Sequence, residues 1–347
     1  VEEPRPLEGE GPEGARRRGL IGGGARTRVS GPGVESPLLA SPCPSPESIE
    51  EARKLGVLLV ISLDPGCSGY REAAGRLGVA VLEYPLQPLA AKPVEELNEL
   101  ARVALGVVRA GARVMVHGSG ESDDRCSFVA SALAEALGCA APPQQAPLSR
   151  VQELALAWYS RLLRLLGVEL LHGLYEVGRV YDFGSGLEHA STVANVGLDL
   201  AQALPGFSES DLRTVYAAGL LHDIGRYFTE RGHEEVGVKL LGEHAGFLAR
   251  EFDYELLAFC VRHHRRHTDP ERDPAAGKLG ERGLLAAAAV RLADSFTNVY
   301  EKEEYWGVRV EGGALKVVAR RANKRRFEAK AELLEKISGL KVELTPP

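Results

Sequence analysis

The 347 residues carry 42 basic and 48 acidic side chains for a formal charge of −6, with 44% hydrophobic and 26% charged residues. That length suits about two domains plus tails, and that charge excludes a global basic field that would draw the chain to nucleic acid or a membrane. The five cysteines form no CxxC pair, which speaks against a zinc ribbon, a disulfide scaffold or a thioredoxin-like motif.

Residues 1–36 are rich in Glu, Pro, Gly and Arg with almost no apolar periodicity. Such a segment cannot bury enough surface to offset ordering entropy, and a disordered tail is predicted. Its basic cluster, Arg16-Arg17-Arg18, lacks the apolar stretch of a secretory signal. The later apolar runs, Val57–Leu63 and Leu284–Val290, stay far below the ~20 residues of a bilayer span. A cytoplasmic protein is expected, with no membrane or nucleic-acid partner.

From 37 to 140, short apolar strands alternate with helices. Ser45-Pro46-Glu47 is a helix start with a cap and a first-turn proline. Strands are expected at Leu58–Leu63, Val79–Tyr84 and Arg113–His117, with helices near Val94–Val108 and Cys126–Leu137. This alternation predicts a mostly parallel sheet with helices on its faces. After a linker, Ala140–Pro147, residues 150–303 read as an all-α bundle, and 304–345 read as a small ββαβ cap. In the cap, Gly307–Val310 and Ala314–Ala319 form a hairpin around Gly312-Gly313, followed by a helix near Arg325–Ile337 and a strand at Lys341–Leu344.

The loop His117-Gly118-Ser119-Gly120-Glu121-Ser122-Asp123-Asp124-Arg125 follows a strand and precedes a helix, so its N–H groups could converge on an anion. With Ser41-Pro42, Ser45-Pro46, Val60–Leu63 and Val116-His117, it makes residues 37–140 resemble the dual-specificity protein tyrosine phosphatases. That family's signature is His-Cys, five residues, Arg, then Ser or Thr. Here Ser119 stands six positions before Arg125, Cys126 lies beyond it, and Pro85-Leu86-Gln87-Pro88 offers no general-acid aspartate. The resemblance implies the fold and a weak phosphate-binding role for Arg125, while the missing nucleophile implies an inactive domain.

Seven of the nine histidines lie after residue 185. His222-Asp223 ends a helix that starts at Ser208 with Asp211 three residues on, a capping-box signal. His189 sits in the apolar-faced Leu187–Leu200, and Asp294 interrupts the almost wholly apolar Leu284–Phe296, where a lone carboxylate is costly unless paired or metal-bound. Each alone has an ordinary reading, as a core histidine, an ion-pair partner or a surface residue. The pattern His…His-Asp…Asp resembles HD-domain metal-dependent phosphohydrolases, which implies His189, His222, Asp223 and Asp294 as metal ligands. His233 and His264 match a second metal position in two-metal members, with His263 as the rival for His264 because adjacent helix residues diverge by about 100°.

Gly232-His233-Glu234-Glu235, His263-His264-Arg265 and Glu304-Tyr305-Trp306 make residues 150–345 similar to the C-terminal region of exopolyphosphatase and guanosine pentaphosphatase proteins. The resemblance implies hydrolysis of a nucleotide or polyphosphate with one or two Mn, Mg, Fe or Zn ions. Asp223 and Arg226 are the catalytic candidates; Arg226 and Arg265, with Arg266 beside it, are candidates for holding phosphate. The partner is then a phosphorylated small molecule or polyphosphate, with homodimerisation left open. Two alternatives stand beside this reading: a non-catalytic phosphate or nucleotide sensor, and an atypical tyrosine or dual-specificity phosphatase using Ser119 or Cys126.

Overall fold

A computed structural model of the chain describes residues 36–144 and 146–347. The expected disordered tail, 1–36, lies outside the described residues but for Ser36. The N-terminal region runs β1 (Leu38–Ser41), α1 (Pro46–Lys54), β2 (Val57–Ser62), α2 (Arg71–Arg76), β3 (Ala80–Glu83), α3 (Val94–Arg109), β4 (Arg113–His117) and α4 (Asp124–Leu137). Its strands stand in the order β1-β4-β2-β3, all parallel, as the strand–helix alternation calls for. Ser45 caps α1 by accepting the Ser48 N–H at 3.2 Å. Strand β1 and helix α2 go beyond the expected elements, since four and six residues are too short to display a period.

One expectation is corrected. Cys43 and Cys67 form a disulfide, with Cα atoms 5.8 Å apart. They lie on the loops before α1 and after β2, which the sheet brings together, a proximity that linear spacing does not encode.

The helical region comprises α5 (Arg150–Leu165), α6 (Gly167–Arg179), α7 (Leu187–Ala203), α8 (Glu209–Leu221), α9 (His233–Glu243), α10 (Ala245–Glu251), α11 (Tyr254–His263) and α12 (Ala276–Ala293). Ser208 and Asp211 form the capping box of α8. Helix α12 is broken at Gly280, whose φ of 62° lies in the left-handed region. The remainder, β5 (Glu304–Glu311), β6 (Ala314–Arg320), α13 (Lys324–Ser338) and β7 (Lys341–Thr345), forms a mixed three-stranded sheet and one helix. Strands β5 and β6 are antiparallel, while β6 and β7 are parallel.

The α/β region docks on the bundle through polar groups set in an apolar core. Asn98 on α3 donates to the Val168 carbonyl at 2.9 Å, and Tyr216 on α8 donates to Glu95 at 2.5 Å. Asp199 on α7 gathers Trp158 from α5 and Tyr305 from β5, at 3.2 and 2.9 Å, and pairs with Arg161. Among the described residues, no helix is long and apolar enough to cross a membrane.

Candidate metal centre

Close backbone crossings bring the histidines together. Helices α7 and α8 meet at Gly219, where a Cβ would lie 2.5 Å from Ala194 Cα. The His189 and His222 rings consequently stand 5.2 Å apart between centroids. After α8 the chain turns through Asp223 into a short 3-10 segment, Ile224–Tyr227, and Gly225 presses against the start of α9, which carries His233. The end of α11 supplies His264, and the end of α12 supplies Asp294. Buried Arg291 on α12 donates to the carbonyls of His263 and Thr268, fixing the turn behind His264.

Asp223 is the hub. Its Oδ1 lies 3.1 Å from His233 Nε2 and 3.4 Å from His264 Nε2. Its Oδ2 lies 3.6 Å from His222 Nε2 and 3.9 Å from His189 Nε2. His189 Nε2 is also 3.4 Å from Asp294 Oδ1. Ligand-type atoms of His189, His222 and Asp294 form one tight group, and those of Asp223, His233 and His264 form another. Ser185 Oγ donates to Asp223 Oδ2 at 2.6 Å and Arg226 does so at 3.2 Å, which fixes the carboxylate's orientation.

The tautomers follow from the backbone. His189 Nδ1 faces the Thr297 carbonyl at 3.1 Å, His222 Nδ1 that of Gly219 at 2.7 Å, His233 Nδ1 that of Glu230 at 3.0 Å, and His264 Nδ1 that of Val261 at 2.7 Å. A carbonyl only accepts, so each Nδ1 carries its proton and each Nε2 turns toward the centre. This is the outer-shell arrangement that orients imidazole ligands. His222 Nε2 is buried with no hydrogen-bond partner, a polar atom that a metal ion would satisfy. Burial pushes the His222 imidazole down to about 3, so it stays neutral, as a ligand must be. Burial opposes ionisation of Asp223 and Asp294, but Ser185 and Arg226 donate to the first and Arg326 and Lys330 pair with the second, which favours the carboxylate form of both.

In the α/β region the loop after β4 is already filled. Asp123 caps α4, and its Oδ2 accepts the Ser119 N–H at 2.7 Å and an Arg125 NH2 at 2.7 Å. Its Oδ1 accepts the Arg125 N–H and Nε–H, both at 3.0 Å. Arg125 also donates to the Leu86 carbonyl, to Asp64 and to Ser119 Oγ. The carboxylate thus takes the donors that an incoming anion would need. Gly118 is required here, because a Cβ would lie 2.0 Å from Asp123 Oδ2. Burial pushes the Cys126 thiol up to about 12, which makes it a poor nucleophile.

Four imidazoles and two carboxylates on helix ends, hinged on an adjacent His-Asp pair, find their counterpart in a known family. Residues 186–299 match the HD domain. HD domains bind divalent metals, and buried His/Asp clusters in an HD domain are typical of metal-dependent phosphohydrolases. The α/β region is similar to a solved structure, Tk-PTP in its active form, at 22% identity over 37% of this chain and 93% of that one, with a TM-score of 0.33. No curated protein matches the chain.

Within the HD region, His189, His222, Asp223, Asp294, His233 and His264 converge. His263 turns away to Asp273 at 2.9 Å, His244 bonds Tyr181 at 3.0 Å, and His267 bonds Glu234 at 3.0 Å. A cavity of about 580 Å³ opens over the centre, with Asp223 and Asp294 among its lining residues. Its cations are Arg226, Arg265, Arg266, Arg326 and Lys330, with His267 beside them. The sequence marks Arg226 and Arg265 as candidates, and it gives no such signal for Arg326 and Lys330. They sit on an exposed-looking helix of the cap, and no local pattern marks them.

Proposed function

We propose that the chain is a metal-dependent phosphohydrolase whose HD region acts on a nucleotide or polyphosphate-type phosphoester or phosphoanhydride. The observation that carries this reading is the convergence of six ligand-type side chains in which every imidazole spends Nδ1 on a backbone carbonyl. His189, His222 and Asp294 suit one divalent ion; His233, His264 and Asp223 suit a second, with the other oxygen of Asp223 turned toward the first group. Nitrogen and oxygen donors without thiolate suit Mn, Fe, Mg or Zn. A divalent ion held there would lower the pKa of water toward neutrality and offset charge developing on phosphoryl oxygens.

The chain's own groups bind and orient. Arg226 and Arg265 offer guanidinium forks to a phosphate in the cavity, where bidentate contacts also fix its orientation. Ser185 and Arg226 hold the Asp223 carboxylate in register. Glu230 anchors the far side of Arg226 at 2.8 Å. The resemblance of residues 150–345 to exopolyphosphatase C-terminal regions makes a phosphate chain an early substrate to test. We read 37–140 as a non-catalytic phosphatase-like domain, 150–303 as the hydrolase and 304–345 as its cap; the filled loop at Asp123 supports the first assignment.

The test is metal analysis of the purified chain, followed by phosphate release from nucleotides, alarmone and polyphosphate with Mn or Mg. Bound metal and release that disappears in His222→Ala plus Asp223→Ala are expected. No metal, no release and no difference in the double variant would overturn the reading.

A further inference from the structure

Arg326 and Lys330 stand one helical turn apart on α13, and both reach the carboxylate that closes α12. Arg326 NH2 lies 2.7 Å from Asp294 Oδ1, while Lys330 Nζ pairs with Oδ2 and lies 3.2 Å from the Asp294 carbonyl. The Lys330 side chain is only 11% exposed, and an ammonium at that depth is costly unless an anion meets it. Arg265 faces the same cavity and makes no side-chain hydrogen bond or ion pair among the described residues. Two cations therefore crowd one candidate ligand carboxylate, beside a third with no anion, in a cavity of about 580 Å³. That volume is in the range of whole small-molecule sites and gives more room than one phosphate needs.

We propose that Arg326 and Lys330 are substrate-phosphate ligands supplied by the C-terminal cap, and that the substrate carries at least two adjacent phosphates. The inference rests on the metal-dependent phosphohydrolase reading. Ligation of a divalent ion through Asp294 Oδ1, the oxygen beside His189, would compete with the Arg326 contact and leave Lys330 sharing a carboxylate whose charge the ion has largely offset. A phosphate in the cavity would offer Lys330 the anion that the ligated carboxylate no longer fully supplies, with Arg265 lining the same cavity. Arg326 lines it as well and can engage a neighbouring phosphate through its fork. The cap is thus part of the active site, and the substrate must fit between cap and bundle.

The experiment uses the full chain with Lys330→Met, Arg326→Met and Lys330→Arg. Calorimetry reads Mn binding, and then the dissociation constant of imidodiphosphate with Mn present; turnover of inorganic tripolyphosphate gives KM. Both Met variants are expected to keep Mn binding and to weaken imidodiphosphate about tenfold or more, the worth of a charge-assisted contact. Lys330→Arg should recover most of the loss. Unchanged imidodiphosphate affinity in both Met variants overturns the proposal, as does loss of Mn binding with no separate effect on the anion. If Lys330→Met fails to fold, Arg326, with a side chain 36% exposed, carries the test. A wild-type chain that takes up no Mn sinks the phosphohydrolase reading and the cap inference with it, whereas a chain that binds Mn while both Met variants keep the wild-type imidodiphosphate affinity overturns the cap inference alone.

Discussion

Tyr216 donates a 2.5 Å hydrogen bond to the carboxylate of Glu95, joining the helical bundle to the α/β region through a fully buried acid. Burial pushes the Glu95 carboxyl up to about 7, against bonds from Ser191 and Tyr216 that pull it down and a neighbouring Glu96 charge that pushes it further up. Buried Tyr300 faces it as well.

A pH dependence of stability follows. The folded state holds the Glu95 proton more tightly than the unfolded chain, so its contribution is fully present below the unfolded value of 4.5. It is lost as pH rises toward about 7 and is flat beyond. At 1.36 kcal/mol per decade of affinity, the loss amounts to about 3 kcal/mol. Urea unfolding of wild type and Glu95→Gln between pH 4 and 8 tests it. The variant should match wild type at low pH and exceed it at pH 8. A slope of the same size in the variant would remove Glu95 as its source.

Adjacent histidines should behave differently. His264 Nε2 faces Asp223, whereas His263 Nε2 faces Asp273, outside the cluster. Losing an outer-shell partner of a metal ligand costs roughly 10–100-fold, so losing a ligand costs at least as much. His264→Gln should lower metal-dependent phosphate release by about 100-fold or more and reduce bound metal. His263→Gln should keep its metal, with a modest loss of stability. Equal effects in the two variants would mean that the assignment within the pair is wrong.

The candidate centre was legible because apolar helices make a polar interruption conspicuous. His222-Asp223 and Asp294 each break a run of Leu, Val and Ala, and their burial leaves few roles other than ligation or pairing. The choice between His263 and His264 was not legible, because it depends on where α11 ends and on the Val261 carbonyl meeting Nδ1. Arg326 and Lys330 were invisible for another reason. They lie 32 and 36 residues beyond Asp294, on a helix whose charges read as solvated. Glu95 followed the same rule: Glu95-Glu96 reads as the acidic first turn of α3, and only tertiary packing buries its first member. The strands β2, β3 and β4 carried their own signal in short β-branched runs, while the Cys43–Cys67 pairing came only with the sheet.

Gly225 sets the spacing between the two ligand groups. A Cβ there would lie 2.0 Å from the His233 carbonyl oxygen and 2.6 Å from the Gly237 N, both backbone atoms that cannot rotate aside. Gly225→Ala must therefore push α9 outward and take His233 with it. Overpacking of this kind costs about 1–3 kcal/mol. The affinity for the second metal equivalent should fall more than that for the first, since His189, His222 and Asp294 lie on other helices. Metal titration that weakens both equivalents alike would argue against independent groups.

Asp123 offers the sharpest test of the α/β region. Its carboxylate takes three bonds from Arg125 and one from the Ser119 N–H. Burial opposes its ionisation, but these partners hold it down to about 2. It is therefore ionised throughout the neutral range, and its stabilising effect is lost only as pH falls toward that value. Asp123→Ala leaves the Arg125 guanidinium buried with only weaker partners, and breaking a buried pair from one side costs about 3–5 kcal/mol. It also frees the loop N–H groups and the guanidinium fork, which together suit an oxyanion. Inorganic phosphate should raise the melting temperature of Asp123→Ala while leaving wild type unmoved, and Asp123→Ala plus Arg125→Ala should lose that response. A wild-type chain already stabilised by phosphate to the same degree, with Arg125→Ala abolishing the effect, would show that the loop accepts free anions despite the carboxylate within it.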